Sequence, residues 1–310
     1  MTKTFRGVFT ALITPFTDYG TVDYTALRAL VERQIECGVD GLVPCGTTGE
    51  SPTLSHEEHD RVIQKVIQFA GGRVPVIAGT GSNATNEAIR LSQHAEDAGV
   101  DAVLLVNPYY NKPNQEGLYR HCKAIADSVT IPCILYNIKG RTGVNLSTET
   151  LMRLEESCPN IVAVKEASGD LEQMKNVISS RKNGFSVLSG DDSLALELIR
   201  NGGDGVISVA SNIFPVEMTK MVHLALGGHF DRAEKINDWM AEFFKAAFIE
   251  TNPIPIKTVM AHYGYCIENF RLPSSCRLRK EDIPCALDSP EGTLEDGNSR
   301  CSNRNGPLPS

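Results

Sequence analysis

Six residues capable of chemistry stand where apolar runs give way to turns: Thr47, Thr48, Tyr110, Tyr136, Arg141 and Lys165. Lys165 interrupts "IVAVKEAS" (161–168), whose small and β-branched residues suit a strand buried on both faces. A charge in such a run is costly unless it is paired or neutralised. Lys165 is therefore either an ion reaching a carboxylate or the rim, or an amine whose pKa is lowered for nucleophilic attack. A free lysine is only about 0.1% neutral at pH 7.5, and a pKa of about 7 to 8 makes it a competent nucleophile. "GTTGE" (46–50) offers two hydroxyls and glycine-flanked amides, which suit a carboxylate or phosphate, or simply cap a helix. Tyr110 and Tyr136 read as core aromatics or as proton-transferring phenols, and Arg141 as a solvated loop charge or a bidentate carboxylate clamp.

These residues need a frame that gathers strand ends. Apolar runs at 7–14, 39–45, 74–79, 100–107, 131–136, 161–165, 185–189 and 204–209 alternate with amphipathic stretches. One such stretch, 56–70, opens on a Ser55/Glu58 capping box, and another, 86–99, closes on Gly99. Strand then helix, eight times over, predicts an α/β fold, a (β/α)8 TIM barrel, with the site at the C-terminal strand ends. The period of two puts Ile161, Ala163 and Lys165 on one face, directed into the barrel. Residues 1–230 form the expected barrel, 231–287 a C-terminal helical extension with helices over 231–250 and from 252, and 288–310 a disordered tail.

Composition narrows the function. The 310 residues carry a net charge of −8, which argues against nucleic acid, and no apolar run approaches the roughly 18 residues of a membrane span. Nine cysteines, odd in number and never spaced as CxxC, suggest reduced thiols and a cytoplasmic protein. "GTGSNA" (79–84) imitates a dinucleotide fingerprint but lacks the acidic residue ending the next strand, and "HEEH" (56–59) has i,i+3 rather than i,i+4 spacing, so no metal site is expected.

In their order on successive units, "GTTGES", "NPYYN", "YNIKGRTG", "VAVKEASG", "SGDD" and "GVISVASN" resemble the dihydrodipicolinate synthase family, of the pyruvate-dependent class I aldolases and the N-acetylneuraminate lyase superfamily. The likeness runs from about residue 5 to 273. It implies condensation of pyruvate with aspartate 4-semialdehyde in lysine and diaminopimelate biosynthesis. By that resemblance Lys165 forms the imine with pyruvate, Thr47 and Thr48 hold its carboxylate, and Gly190 and the Ile207 backbone line the pocket. Tyr136 shuttles protons, linked through Thr47 to Tyr110 from a neighbouring subunit, and Arg141 clamps the second substrate. No metal or diffusible cofactor is implied, and a homo-oligomer, a dimer of dimers, is. Lys139 stands where the family has proline, and Pro284 and Pro290 break its final helix.

Ser51, His56, His59, Asn83, Glu87 and Tyr109 match positions that line an L-lysine cleft at the dimer interface of lysine-inhibited members. The rival expectations are an N-acetylneuraminate or sugar-acid lyase on the same lysine, and a catalytically silent barrel that senses a ligand.

Overall fold

The computed structural model describes residues 4–275. Eight parallel strands form one sheet: β1 (Gly7–Ala11), β2 (Gly41–Val43), β3 (Ile77–Gly79), β4 (Ala102–Val106), β5 (Cys133–Asn137), β6 (Ile161–Glu166), β7 (Ser186–Ser189) and β8 (Gly205–Ser208). Their order is β2-β1-β8-β7-β6-β5-β4-β3. A parallel bridge from Leu42 to Val76 joins the ends of that series, with Leu42 N donating to Pro75 O at 3.0 Å, so the sheet closes into the expected barrel. Most strands are shorter than the apolar runs, as β1 ends at Ala11, whereas β6 extends one residue past its run to Glu166.

The strands alternate with α1 (Tyr24–Glu36), α2 (His56–Ala70), α3 (Thr85–Ala98), α4 (Gln115–Ala126), the one-turn α5 (Lys139–Thr142), α6 (Thr148–Ser157), α7 (Leu171–Ser180), α8 (Ala195–Arg200) and α9 (Pro215–Leu226). Local chemistry sets their ends. Ser55 and Glu58 make the reciprocal capping box of α2, and Gly99 ends α3 at φ +89°, where a Cβ is disfavoured. α10 (Phe230–Ala246) and α11 (Ile254–His262) follow the eighth unit. α10 stops short of residue 250 because Phe248 and Ile249 donate to Lys245 O and Ala246 O, tightening the chain into three-residue turns.

Each strand sends at least one residue into a shared interior, among them Phe9, Val43, Ile77, Leu104, Ile134, Ala163, Leu188 and Ile207. Phe5 closes the floor, its ring 5.9 Å from that of Phe9. The opposite strand faces pack beneath the helices, as with Leu42, Val103, Leu135 and Val187. The simple period of two fails once. Cys133 pairs with Ile161 but Ile134 pairs with Ala163, so Val162 is an extra residue on β6. Ile161 consequently joins the layer beneath the helices, not the interior, and only Ala163 and Lys165 keep the predicted phase.

α10 packs against the start of α9 through edge-on contacts of Phe214, the residue preceding that helix, with Trp239 and Phe243, at 5.4 and 4.8 Å. The chain beyond α11 then returns to the barrel: the Arg271 guanidinium donates to both carboxylate oxygens of Glu58 and to Gly20 O and Thr53 O. Pro284, Pro290 and the expected tail at 288–310 lie outside the described residues. Among the described residues no helix is long and apolar enough to cross a membrane, and the cysteines are free thiols.

Candidate active site

Lys165 is the penultimate residue of β6, paired in register with Tyr136 on β5 and Leu188 on β7. Its side chain is 5% exposed, and Nζ lies 4.3 Å from the centre of the Tyr136 ring. Burial lowers its pKa to about 8; Asp192 opposes the shift and Arg141 adds to it. At that value roughly a quarter of the amine is neutral at pH 7.5, some two hundred times the fraction of a free lysine. A neutral amine, the form that nucleophilic attack requires, is thus populated here at neutral pH.

The end of β6 is held from behind. The buried Glu166 carboxylate accepts from Asn137 Nδ2 at 3.1 Å, Gln173 Nε2 at 3.1 Å and Ser168 N at 2.7 Å. Gly190 N donates to Glu166 O at 2.8 Å, which draws the loop after β7 against Lys165. A Cβ at residue 190 would sit 2.6 Å from the Ala167 Cβ and 2.9 Å from the Lys165 Cε, so only glycine leaves the amine its place.

Tyr136 is 6% exposed, and burial pushes its phenol up to about 12, against the opposing influence of Arg141 and a hydrogen bond with Thr47. A phenol so displaced stays protonated and can donate. Thr48 is 3% exposed, and its hydroxyl accepts from Asn252 Nδ2 at 3.0 Å. The Asn252 carbonyl in turn accepts from Arg141 Nη2 at 3.0 Å. Arg141 lies exposed at the pocket mouth on α5, whose single turn carries Lys139 outward into solvent.

Thr47, Thr48, Tyr136, Arg141, Lys165 and Gly190 thus line one pocket with about 660 Å³ of empty space, part of it open to solvent. An amine, hydroxyls, a phenol and a guanidinium around one space suit a small keto acid and a second anionic substrate. Ile207 is fully buried in the barrel interior and is not among the lining residues; Val209, two positions on, lines the wall. Tyr110 is 89% exposed, with φ +73°, and does not line its own chain's pocket.

Of the second predicted group, Ser51, His56, His59, Asn83, Glu87 and Tyr109, four residues meet in two separate pairs and the other two lie elsewhere. His56 Nε2 lies 2.9 Å from Glu87 Oε1, and the Ser82 hydroxyl donates to the same carboxylate, holding Glu87 below the usual carboxylate range. Asn83 Nδ2 donates to Tyr109 O at 3.2 Å. His59 is buried with Nε2 2.9 Å from Gly79 O, and burial lowers its pKa; Ser51 lines the main pocket. Among the described residues no group of three or more His, Cys, Asp or Glu can hold a metal ion.

Sequence reasoning missed Asn252, Asp192, Val209 and Phe248. Asn252 and Phe248 sit in a segment read only as helix, and no local pattern marks them for a site roughly 200 residues away in the chain. Asp192 stands in the quoted "SGDD", yet its burial and its bonds from Val209 N and Ala210 N appear only in the fold.

The Dihydrodipicolinate synthetase family model matches residues 4–282. The 4-hydroxy-tetrahydrodipicolinate synthase of Syntrophus aciditrophicus is 56% identical over 269 residues, covering 87% of this chain and 92% of that protein. The crystal structure of the chloride-inhibited dihydrodipicolinate synthase of Acinetobacter baumannii complexed with pyruvate has a TM-score of 0.87 and 46% identity, covering 89% of this chain and 94% of that one. The enzyme of Cyanidioschyzon merolae with lysine bound gives 0.87 and 41%, over 90% and 95%. With its family model spanning nearly the whole chain and its barrel shared at these identities, the chain belongs to the dihydrodipicolinate synthetase family.

Proposed function

We propose that this chain condenses pyruvate with L-aspartate 4-semialdehyde to 4-hydroxy-tetrahydrodipicolinate through an imine on Lys165, a step of lysine and diaminopimelate biosynthesis. The observation that carries the reading is the buried amine of Lys165, lowered to about 8, in one pocket with Thr47, Thr48, Tyr136 and Arg141. The pyruvate complex of one relative supports the first substrate and the synthase name of another the product, and the semialdehyde follows from the family resemblance.

The neutral Lys165 amine attacks the pyruvate ketone while Thr47 and Thr48 hold the carboxylate. Tyr136, protonated and bonded to Thr47, donates to the carbinolamine oxygen, which leaves as water. The protonated imine is an electron sink, so the pyruvate methyl loses a proton and becomes an enamine. That carbon bonds to the aldehyde carbon of the second substrate, whose carboxylate Arg141 clamps. The nitrogen of the cyclic product is the second substrate's amine, which displaces Lys165 and frees it. The reaction balances with no metal or diffusible cofactor.

Tyr110 acts from a neighbouring subunit, a reading supported by its exposure and its absence from its own chain's pocket lining; the working unit is then at least a dimer, and a dimer of dimers by family likeness. The His56, Glu87, Asn83 and Tyr109 group serves L-lysine as a feedback site, as the lysine-bound relative suggests. The test is condensation coupled to reduction of the product, with borohydride trapping of the pyruvate imine. The expected result is turnover and one reduced pyruvyl group on Lys165. An adduct on another lysine, cleavage of N-acetylneuraminate with no use of the semialdehyde, or no turnover at all defeats the reading.

A further inference from the structure

We propose that the buried Glu50–Lys257 ion pair is a positioning device: it holds the Thr47–Thr48 turn at the height of Lys165 and so sets the affinity for the first substrate's carboxylate. The proposal rests on the reading that this turn binds that carboxylate. The two residues that bracket the turn, Cys45 at φ +56° and Glu50 at φ +53°, are both non-glycines with left-handed backbone. Such a conformation persists only where its surroundings over-determine it, and it clusters where geometry serves function.

The surroundings here come from the far end of the chain. Glu50 Oε1 accepts from Lys257 Nζ at 2.6 Å, with the two side chains 2% and 0% exposed. Glu50 Oε2 accepts from Arg271 N at 3.2 Å. The Lys257 ammonium also lies 4.1 Å from the Phe16 ring centre and 5.2 Å from that of Phe270, so it is enclosed by the described aromatics. The same segment supplies Asn252, which donates to Thr48. The turn is thus gripped through Glu50 and through Thr48, and both grips lie within residues 252–271. A buried pair of this kind adds little stability over an apolar pair of equal volume, but it fixes a separation and a direction. The strained turn beside it is where a fixed separation has use.

The test is the neutral, near-isosteric double variant Glu50→Gln/Lys257→Met, which avoids an unpaired buried charge. The pyruvate concentration giving half-maximal borohydride trapping is expected to rise about tenfold or more, while kcat at saturating pyruvate and the KM for the aldehyde stay within about threefold. A folded double variant with unmoved pyruvate dependence overturns the proposal, even if its melting temperature falls, since the pair then serves stability alone. Should that variant not fold, Lys257→Arg decides: it keeps the charge but changes the reach, and it must raise the same half-maximal concentration. Thr48→Ala separates the two possible failures. If it leaves pyruvate dependence unmoved, the carboxylate reading itself is wrong; if it raises that dependence and the double variant does not, only the positioning role is lost.

Discussion

Imine formation by Lys165 should show an acidic limb that ends near pH 8 rather than near 10.5. The drop from 10.5 to about 8 means that the site disfavours the ammonium over the amine by roughly 3 kcal/mol. The neutral fraction is then about 10% at pH 7, half at pH 8 and nine-tenths at pH 9. The initial rate of borohydride-trapped adduct, followed by mass at limiting pyruvate, should rise about fivefold from pH 7 to 8 but less than about twofold from 8 to 9. An unperturbed lysine would give about tenfold in each interval. Of the charged groups that act on the amine, Asp192 raises its pKa and Arg141 lowers it. Asp192→Asn should therefore move the limb to lower pH, and Arg141→Ala to higher pH. A tenfold rise persisting between pH 8 and 9 in the wild type, a limb moved to higher pH in Asp192→Asn, or a limb moved to lower pH in Arg141→Ala would refute the electrostatic argument.

Gly190→Ala places a methyl within 2.9 Å of the Lys165 Cε; imine trapping should fall by about tenfold or more, with a stability loss of about 1 to 3 kcal/mol from overpacking, as read by urea unfolding. Mixing Tyr110→Phe with Lys165→Ala protein should restore activity, because a mixed dimer contains one complete site; no rescue despite demonstrated subunit exchange counts against the shared site. L-lysine titrated against the initial rate should inhibit the wild type and inhibit Glu87→Thr less, since the proposed site gives the ligand's ammonium to the Glu87 carboxylate, which lies beside His56. Asp40 raises the His223 pKa, so the stability from this half-exposed pair is fully present below the unfolded value. It should fade as pH rises through the raised folded value, and Asp40→Asn should remove that dependence of the melting temperature.

Much of the molecule was legible in local pattern. Eight apolar runs separated by capped amphipathic stretches specify a (β/α)8 barrel, because burial on both strand faces and a 3.6-residue helical stripe are written in neighbouring residues. Strand ends that turn polar at Thr47, Tyr136, Lys165 and Gly190 marked the rim of the site for the same reason, and the structure brings those four around one pocket. The motifs also carried the family likeness.

Tertiary structure decided what depends on distant partners. The extra residue Val162 turned Ile161 to the outer layer while leaving Ala163 and Lys165 inside, since a bulge is a relation between β5 and β6 and no strand shows it alone. The lowering of the Lys165 pKa depended on enclosure by walls from several strands, a property of burial that its neighbours in sequence do not encode. Asn252 and Lys257 reach Thr48 and Glu50 across more than 200 positions. A helix pattern records which face is apolar, but the turn it grips is fixed only when the chain has folded back upon the barrel.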